Sequence, residues 1–222
     1  QANVLAHFSH AGVDDMCDNT CHFGINNFFA DNGLLENVTT QLLYPADSHQ
    51  LKAMLKAVFN QPGLRFVFST RSATPYVLDE KEKPLYGDGY TFVPGKDEIV
   101  REGSKGYIVS YGEMLYRCLD VVETLRAEGL DVGLVNKPTL NRIDEEMLAT
   151  LGNSPFVLLV ETQNFKSGLG SKMGTWLLER GYAPRYAHLG TVREGNGGLA
   201  EQVLTQGLGQ DDILKKVKEL AG

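Results

Sequence analysis

Short apolar runs alternate along this chain with stretches whose apolar residues recur every three or four positions. That alternation predicts strand–helix units wound around a mostly parallel sheet. Val4–Ser9 predicts the first strand, followed by the polar segment Asp14–His22 and a short apolar helix at about Ile25–Ala30. Thr40–Tyr44 reads as a strand stopped by Pro45. Asp47 reads as the cap of a helix whose apolar face is Leu51, Leu55, Val58 and Phe59. Gln61-Pro-Gly ends that helix ahead of a strand over Leu64–Thr70.

From Thr74 to Gly103 the pattern lapses. Pro75, Pro84 and Pro94-Gly95 punctuate it and Asp79–Lys83 is a charged run, so it reads as an extended linker with a short β-hairpin. Alternation returns with a strand at Tyr107–Tyr111, a helix at Glu113–Glu128 stopped by Gly129, and a strand at Val132–Val135. A short helix at Asp144–Leu151, with Asn141 or Asp144 as its cap, leads to Phe156–Val160, an apolar run suited to a strand covered on both faces. A helix at Lys172–Arg180, a strand at Arg185–Leu189 and a helix at Asp211–Leu220 follow. The fold class is α/β, two units with mostly parallel sheets flanked by helices. The expected divisions are residues 1–73, a linker over 74–103, and residues 104–222.

A length of 222 residues suffices for these cores, with 42% hydrophobic and 22% charged residues. The net charge of −7 and the lack of a Lys/Arg run exclude a nucleic-acid surface. No apolar stretch reaches the ~20 residues that span a bilayer, and the first residues lack the basic and apolar regions of a signal peptide. Three cysteines without framework spacing point to a reducing compartment, so a cytoplasmic location is expected. The chain opens on Gln and enters a strand almost at once, which reads as a cut piece or a trimmed start.

The candidate chemistry lies in His10-Ala-Gly-Val-Asp-Asp-Met-Cys-Asp18-Asn-Thr-Cys-His22, at the end of the first strand. Strand ends are where open α/β sheets place their sites, and histidines donate and accept hydrogen bonds near neutral pH. Arg71, at the end of another strand, can complete such a site. His7, His10, Cys17, Cys21 and His22 lie close in sequence, but lack the paired spacings of zinc sites, so no metal is assigned. Gly87-Asp88-Gly89 reads as a turn. Gly168-Leu-Gly-Ser171 precedes a helix and suits either an anion or close packing, with packing favoured. Glu161, at the end of the apolar strand, is a site or interface candidate.

With these residues in view, the chain resembles transketolase and its thiamine-diphosphate relatives. Phe8-Ser-His10-Ala11 is similar to that family's strand followed by Thr-His-Asp-Ser, and Asp18-Asn-Thr-Cys-His22-Phe23 to its Asp-Gly-Pro-Thr-His-Gln. The separation of the two histidines, 22 − 10 = 12, is also that of transketolase. Tyr44-Pro-Ala-Asp47 resembles an Arg-Pro-Ala-Asp turn, Phe68-Ser-Thr-Arg71 a strand ending in a phosphate-binding arginine, and the chain from Gly103 onward the C-terminal domain.

The resemblance implies the end of a pyrimidine-binding domain, then a linker and a Rossmann-like C-terminal domain. It further implies transfer of a two-carbon ketol unit between sugar phosphates. His22 would touch the reacting carbonyl and hydroxyl, Asp18 the neighbouring hydroxyl, and His10 and Arg71 the phosphate. Thiamine diphosphate and Mg2+ would be bound mainly by sequence absent here, so the isolated chain is expected to be inactive. A homodimer or an N-terminal half of the same enzyme would be its partner. Asn19-Thr20-Cys21 in place of Gly-Pro-Thr leaves substrate specificity open. A 1-deoxyxylulose-5-phosphate synthase part, a 2-oxo acid dehydrogenase β-type part and a non-catalytic dimerisation or binding module remain alternatives.

Overall fold

The computed structural model describes residues 3–13, 20–31, 39–196, 199 and 201–222. Strands β1 (Val4–Phe8), β2 (Thr40–Leu43) and β3 (Leu64–Phe68) form a parallel sheet in the order β1-β3-β2. Helix α1 (Ser48–Val58) begins where Asp47 accepts a hydrogen bond from Gln50 N at 2.8 Å, as the capping pattern predicts. The other carboxylate oxygen accepts from Val77 N at 3.0 Å and ties down the extended segment.

The buried face of α1 is Gln50, Met54 and Val58, whereas Phe59 is 66% exposed, so the face expected from periodicity is turned toward Gln50. A polar network explains the turn. Gln50 Nε2 donates to Glu98 Oε2 at 2.9 Å, and Asn136 Nδ2 donates to Gln50 Oε1 at 3.3 Å. A buried amide with partners is tolerated where periodicity alone places a leucine.

The second sheet contains β4 (Glu98–Arg101), β5 (Tyr107–Ser110), β6 (Gly133–Asn136), β7 (Phe156–Asn164) and β8 (Arg185–Thr191) in the order β4-β6-β5-β7-β8. All pairs are parallel except β4 with β6. Strand β4, four residues within the stretch read as linker, supplies the antiparallel edge. Helices α2 (Met114–Ala127), α5 (Gln202–Thr205) and α6 (Gln210–Ala221) share a core with Ile108 and Leu158. On the other face, α3 (Glu145–Gly152) and α4 (Leu169–Glu179) share a core with Val109, Val157 and Leu159. Successive strand residues therefore enter different cores, which is why the run Phe156–Val160 is apolar throughout.

The sheets meet along β2. Tyr44 N donates to Pro138 O at 2.9 Å and Leu140 N to Leu42 O at 2.8 Å. Asn141 Oδ1 accepts from Leu42 N and its Nδ2 donates to Thr40 O, both at 3.0 Å. This closes the outer edge of β2. Asn141 is therefore not a helix cap. Asp144 occupies the cap position of α3, and its carboxylate also accepts from Asp97 N at 3.0 Å.

Glu161 sits fully buried at the N-terminus of α4, accepting from Leu169 N at 2.9 Å, Gly170 N at 2.7 Å and the Tyr111 hydroxyl. The helix end thus has an internal carboxyl acceptor, which satisfies open N–H groups of its first turn. A Cβ on Gly168 would lie 2.5 Å from Glu161 Oε1, so the glycine is there for packing.

Burial raises the Glu161 pKa from 4.5 to about 7, against the opposing effect of its three hydrogen bonds. The folded carboxyl holds its proton up to about pH 7 while the unfolded one loses it near 4.5, so stability falls as pH rises across that window. The expected fall is on the order of 3 kcal/mol. Glu161→Gln is expected to flatten it, as urea midpoints between roughly pH 4 and 8 would measure. A decline kept in full by the variant would assign the effect to other groups.

Candidate functional site

The chain leaves β1 and β3 at the same end of the first sheet. Ser69 N donates to Phe8 O at 2.9 Å and Ala11 N to Ser69 O at 3.0 Å, which carries the pairing past both strands. With Phe8 opposite Phe68 in register, His10 and Arg71 emerge at one edge.

A second contact folds the histidine segment back on itself. Gly12 N donates to Gly24 O at 2.9 Å and Gly24 N to Gly12 O at 3.1 Å, so two non-adjacent loops run antiparallel. This pairing brings the 3-10 turn Thr20–His22 beside His10, with ring centroids 5.7 Å apart and planes inclined by 42°. Both histidines are exposed. Only glycine permits the approach, since a Cβ on Gly24 would lie 2.0 Å from His10 O. Gly12 has φ +85° and a Cβ there would lie 2.1 Å from Glu113 Oε1.

Ser9 Oγ lies 3.1 Å from His10 Nδ1, and Cys21 Sγ lies 3.1 Å from His22 Nδ1. His7 Nε2 lies 2.8 Å from Ser69 Oγ. Beside them opens a cavity of about 460 Å³, lined by His7, His10 and Asn27 together with Phe8, Phe23 and Phe29. An aromatic wall with a few polar groups is the usual make-up of a small-molecule site.

The end of β7 holds this arrangement from the second sheet. Gln163, fully buried, donates through Nε2 to Gly24 O and accepts at Oε1 from Asn27 N, both at 3.1 Å. Asn164 N donates to Ile25 O at 2.9 Å. The Thr162 hydroxyl donates to Glu113 Oε1, the atom that a side chain at Gly12 would strike. None of Gln163, Glu113 and Asn27 is singled out by sequence. The one available signal is the polar trio Thr162-Gln163-Asn164 closing an apolar strand.

Of the residues expected from sequence, His10 and His22 are brought together and Arg71 lies at the same sheet end. Asp18 and Cys17 lie outside the described residues. Among the described residues no three His, Cys, Asp or Glu side chains gather to hold a metal ion. Cys21 is exposed and Cys118 buried, and burial pushes the Cys118 pKa up to about 12. Gly87-Asp88-Gly89 is a turn, with Gly87 N bonded to Pro84 O at 3.1 Å and Gly89 at φ +89°. Among the described residues no helix is long and apolar enough to cross a membrane.

The two-sheet α/β architecture is that of the transketolase class, where the comparison with known proteins also places this chain. The chain belongs to that family: residues 95–211 match the transketolase C-terminal domain. It is 28% identical over 162 residues to one subunit of the apulose-4-phosphate transketolase of Actinobacillus succinogenes, covering 72% of this chain and 49% of that protein. It is 24% identical to a putative transketolase C-terminal section of Methanocaldococcus jannaschii, covering 98% of this chain and 66% of that one. A split gene transketolase solved as an inactive beta4 tetramer superposes with a TM-score of 0.71 at 25% identity, covering 82% of this chain and 57% of that chain. The chain thus spans between 49% and 66% of the length of these two curated relatives.

Gly24→Ala is expected to destabilise the protein by about 1–3 kcal/mol, the range for forcing a side chain into a filled site. It should also separate His10 from His22. Thermal unfolding measures the first effect and imidazole NMR shifts the second. Parent-like stability with unchanged imidazole resonances would show that the pairing does not depend on Gly24.

Proposed function

We propose that this chain is the C-terminal portion of a transketolase-like enzyme that transfers a two-carbon ketol unit between sugar phosphates. Residues 1–73 would end a pyrimidine-binding domain, 74–103 would link, and 104–222 would form the C-terminal domain, to which β4 adds an edge strand. The observation that carries this reading is the Gly12–Gly24 pairing, which sets His10 and His22 side by side at the end of a parallel sheet.

In this reading His22 contacts the reacting carbonyl and hydroxyl of the donor sugar, and Asp18 the adjacent hydroxyl. An imidazole suits that work because it donates and accepts near neutral pH. His10 and Arg71 hold the phosphate, Arg71 through charge-assisted, bidentate bonds. The described residues offer no metal-ligand cluster. They therefore do not fit magnesium, and thiamine diphosphate with Mg2+ would be held mainly by polypeptide outside this chain. That polypeptide would be the N-terminal half of the same enzyme, and the assembly a cytoplasmic multi-subunit or homodimeric one. A multi-chain arrangement is supported by two similar proteins, one a single subunit of its transketolase and the other the product of a split gene.

With thiamine diphosphate, magnesium, a ketose phosphate donor and an aldose phosphate acceptor, the chain alone is expected to show no ketol transfer. Transfer by the chain alone would end the reading of it as one portion of the enzyme. In the enzyme reconstituted with its N-terminal half, Arg71→Ala is expected to weaken phosphorylated substrates roughly ten- to hundredfold in kcat/KM, the value of a charge-assisted bond or two. Unphosphorylated sugars should be nearly unaffected, and equal losses on both would remove Arg71 from phosphate binding.

A further inference from the structure

We propose that Asn27 is a further ligand-contacting residue of the His10 cavity, its carboxamide binding a hydroxyl of the sugar. The proposal rests on the sugar-phosphate reading above. Asn27 is only 4% exposed, and its Nδ2 is buried with no hydrogen-bond partner among the described residues. Buried polar groups in native proteins are nearly always paired, so an orphaned amide marks a place where a partner is missing. The same residue lines the cavity that His7 and His10 line.

Its placement is not accidental slack. The Asn27 backbone N–H is taken by Gln163 Oε1 at 3.1 Å, and Gln163 is itself fully buried and bound to Gly24 O. Asn27 is thus clamped through its main chain from the second sheet while its side-chain Nδ2 is left without a partner among the described residues. Such a group lowers the stability of the ligand-free protein and is retained where function uses it.

The chemistry of the ligand follows from the group. The unpaired group is a neutral N–H donor, and a sugar hydroxyl oxygen can accept from it. The surrounding wall of Phe8, Phe23 and Phe29 suits the carbon face of a sugar better than its charged end. Asn27 therefore reads the neutral, polyhydroxy part, and the phosphate falls to His10 and Arg71.

The test compares D-ribose 5-phosphate with inorganic phosphate, titrated by calorimetry into the enzyme reconstituted with its N-terminal half and into the same enzyme carrying Asn27→Ala or Asn27→Leu. Thermal midpoints are recorded alongside. Both variants are expected to bind ribose 5-phosphate about fivefold or more weakly, the loss of one hydrogen bond, and to bind phosphate as the parent does. Asn27→Leu, close in volume and apolar, is expected to keep the parent midpoint or raise it by about 2 °C. A midpoint lowered by several degrees, or failure to fold, would make Asn27 a structural residue and overturn the proposal. Ribose 5-phosphate binding equal in parent and variants would overturn it as well, leaving the sugar-phosphate reading intact. Binding of neither probe by the parent would overturn that reading, and with it the ligand assigned to Asn27.

Discussion

The seating of Glu161 against the N-terminus of α4 is the interaction on which the rest of this structure depends. It pins the last turn of apolar β7 to a helix, through two backbone N–H groups and the Tyr111 hydroxyl. Beyond that anchor the strand continues as Thr162, Gln163 and Asn164, all polar, and each engages the protein through its side chain or main chain. Gln163 and Asn164 hold the backbone of Gly24, Ile25 and Asn27, and Thr162 holds Glu113. A strand end that wavered would transmit its motion directly to the histidine segment. The cost of burying a carboxylate is offset where it replaces three separate unsatisfied groups.

The site is consequently a shared product. The first sheet supplies His10 and the approach to Arg71, but His22 reaches His10 only because Gly12 and Gly24 lack side chains. The second sheet adds no candidate catalytic group of its own. It supplies the surface against which the loops are fitted, in the form of Glu113, Thr162 and Gln163. The same surface leaves Asn27 oriented but unpaired. Scaffold and site thus meet in a few polar side chains that neither packing nor periodicity would select.

Most of the strands and helices were legible in the sequence because each buries a face, and burial writes a period of two or of about 3.6 into the residues. Strands covered on both sides read as continuous apolar runs, and Gly129 marked the end of α2 through its left-handed backbone at φ +88°. Where reading by period failed, a polar group had taken an apolar place. Gln50 turned the face of α1 toward Glu98 and Asn136. Asn141 left the cap of α3 to pair with β2. Strand β4 escaped notice because four residues with a paired Arg101 carry too little alternation to register.

The sequence by itself determined the α/β class, the strands and helices that bury a face, the family resemblance, and His10, Asp18, His22 and Arg71 as candidates for the chemistry. These follow from local pattern and from spacing along the chain, which no folding step alters. Tertiary structure alone decided that the His10 and His22 rings stand 5.7 Å apart, that Glu161 is a helix anchor, and that Gln163 braces Gly24 and Asn27 beside the His10 cavity. The reason is that Gly24 and Gln163 are 139 residues apart, yet one hydrogen bond joins them. No period or motif encodes a contact between segments so distant. Only the packing of the two sheets brings them within reach.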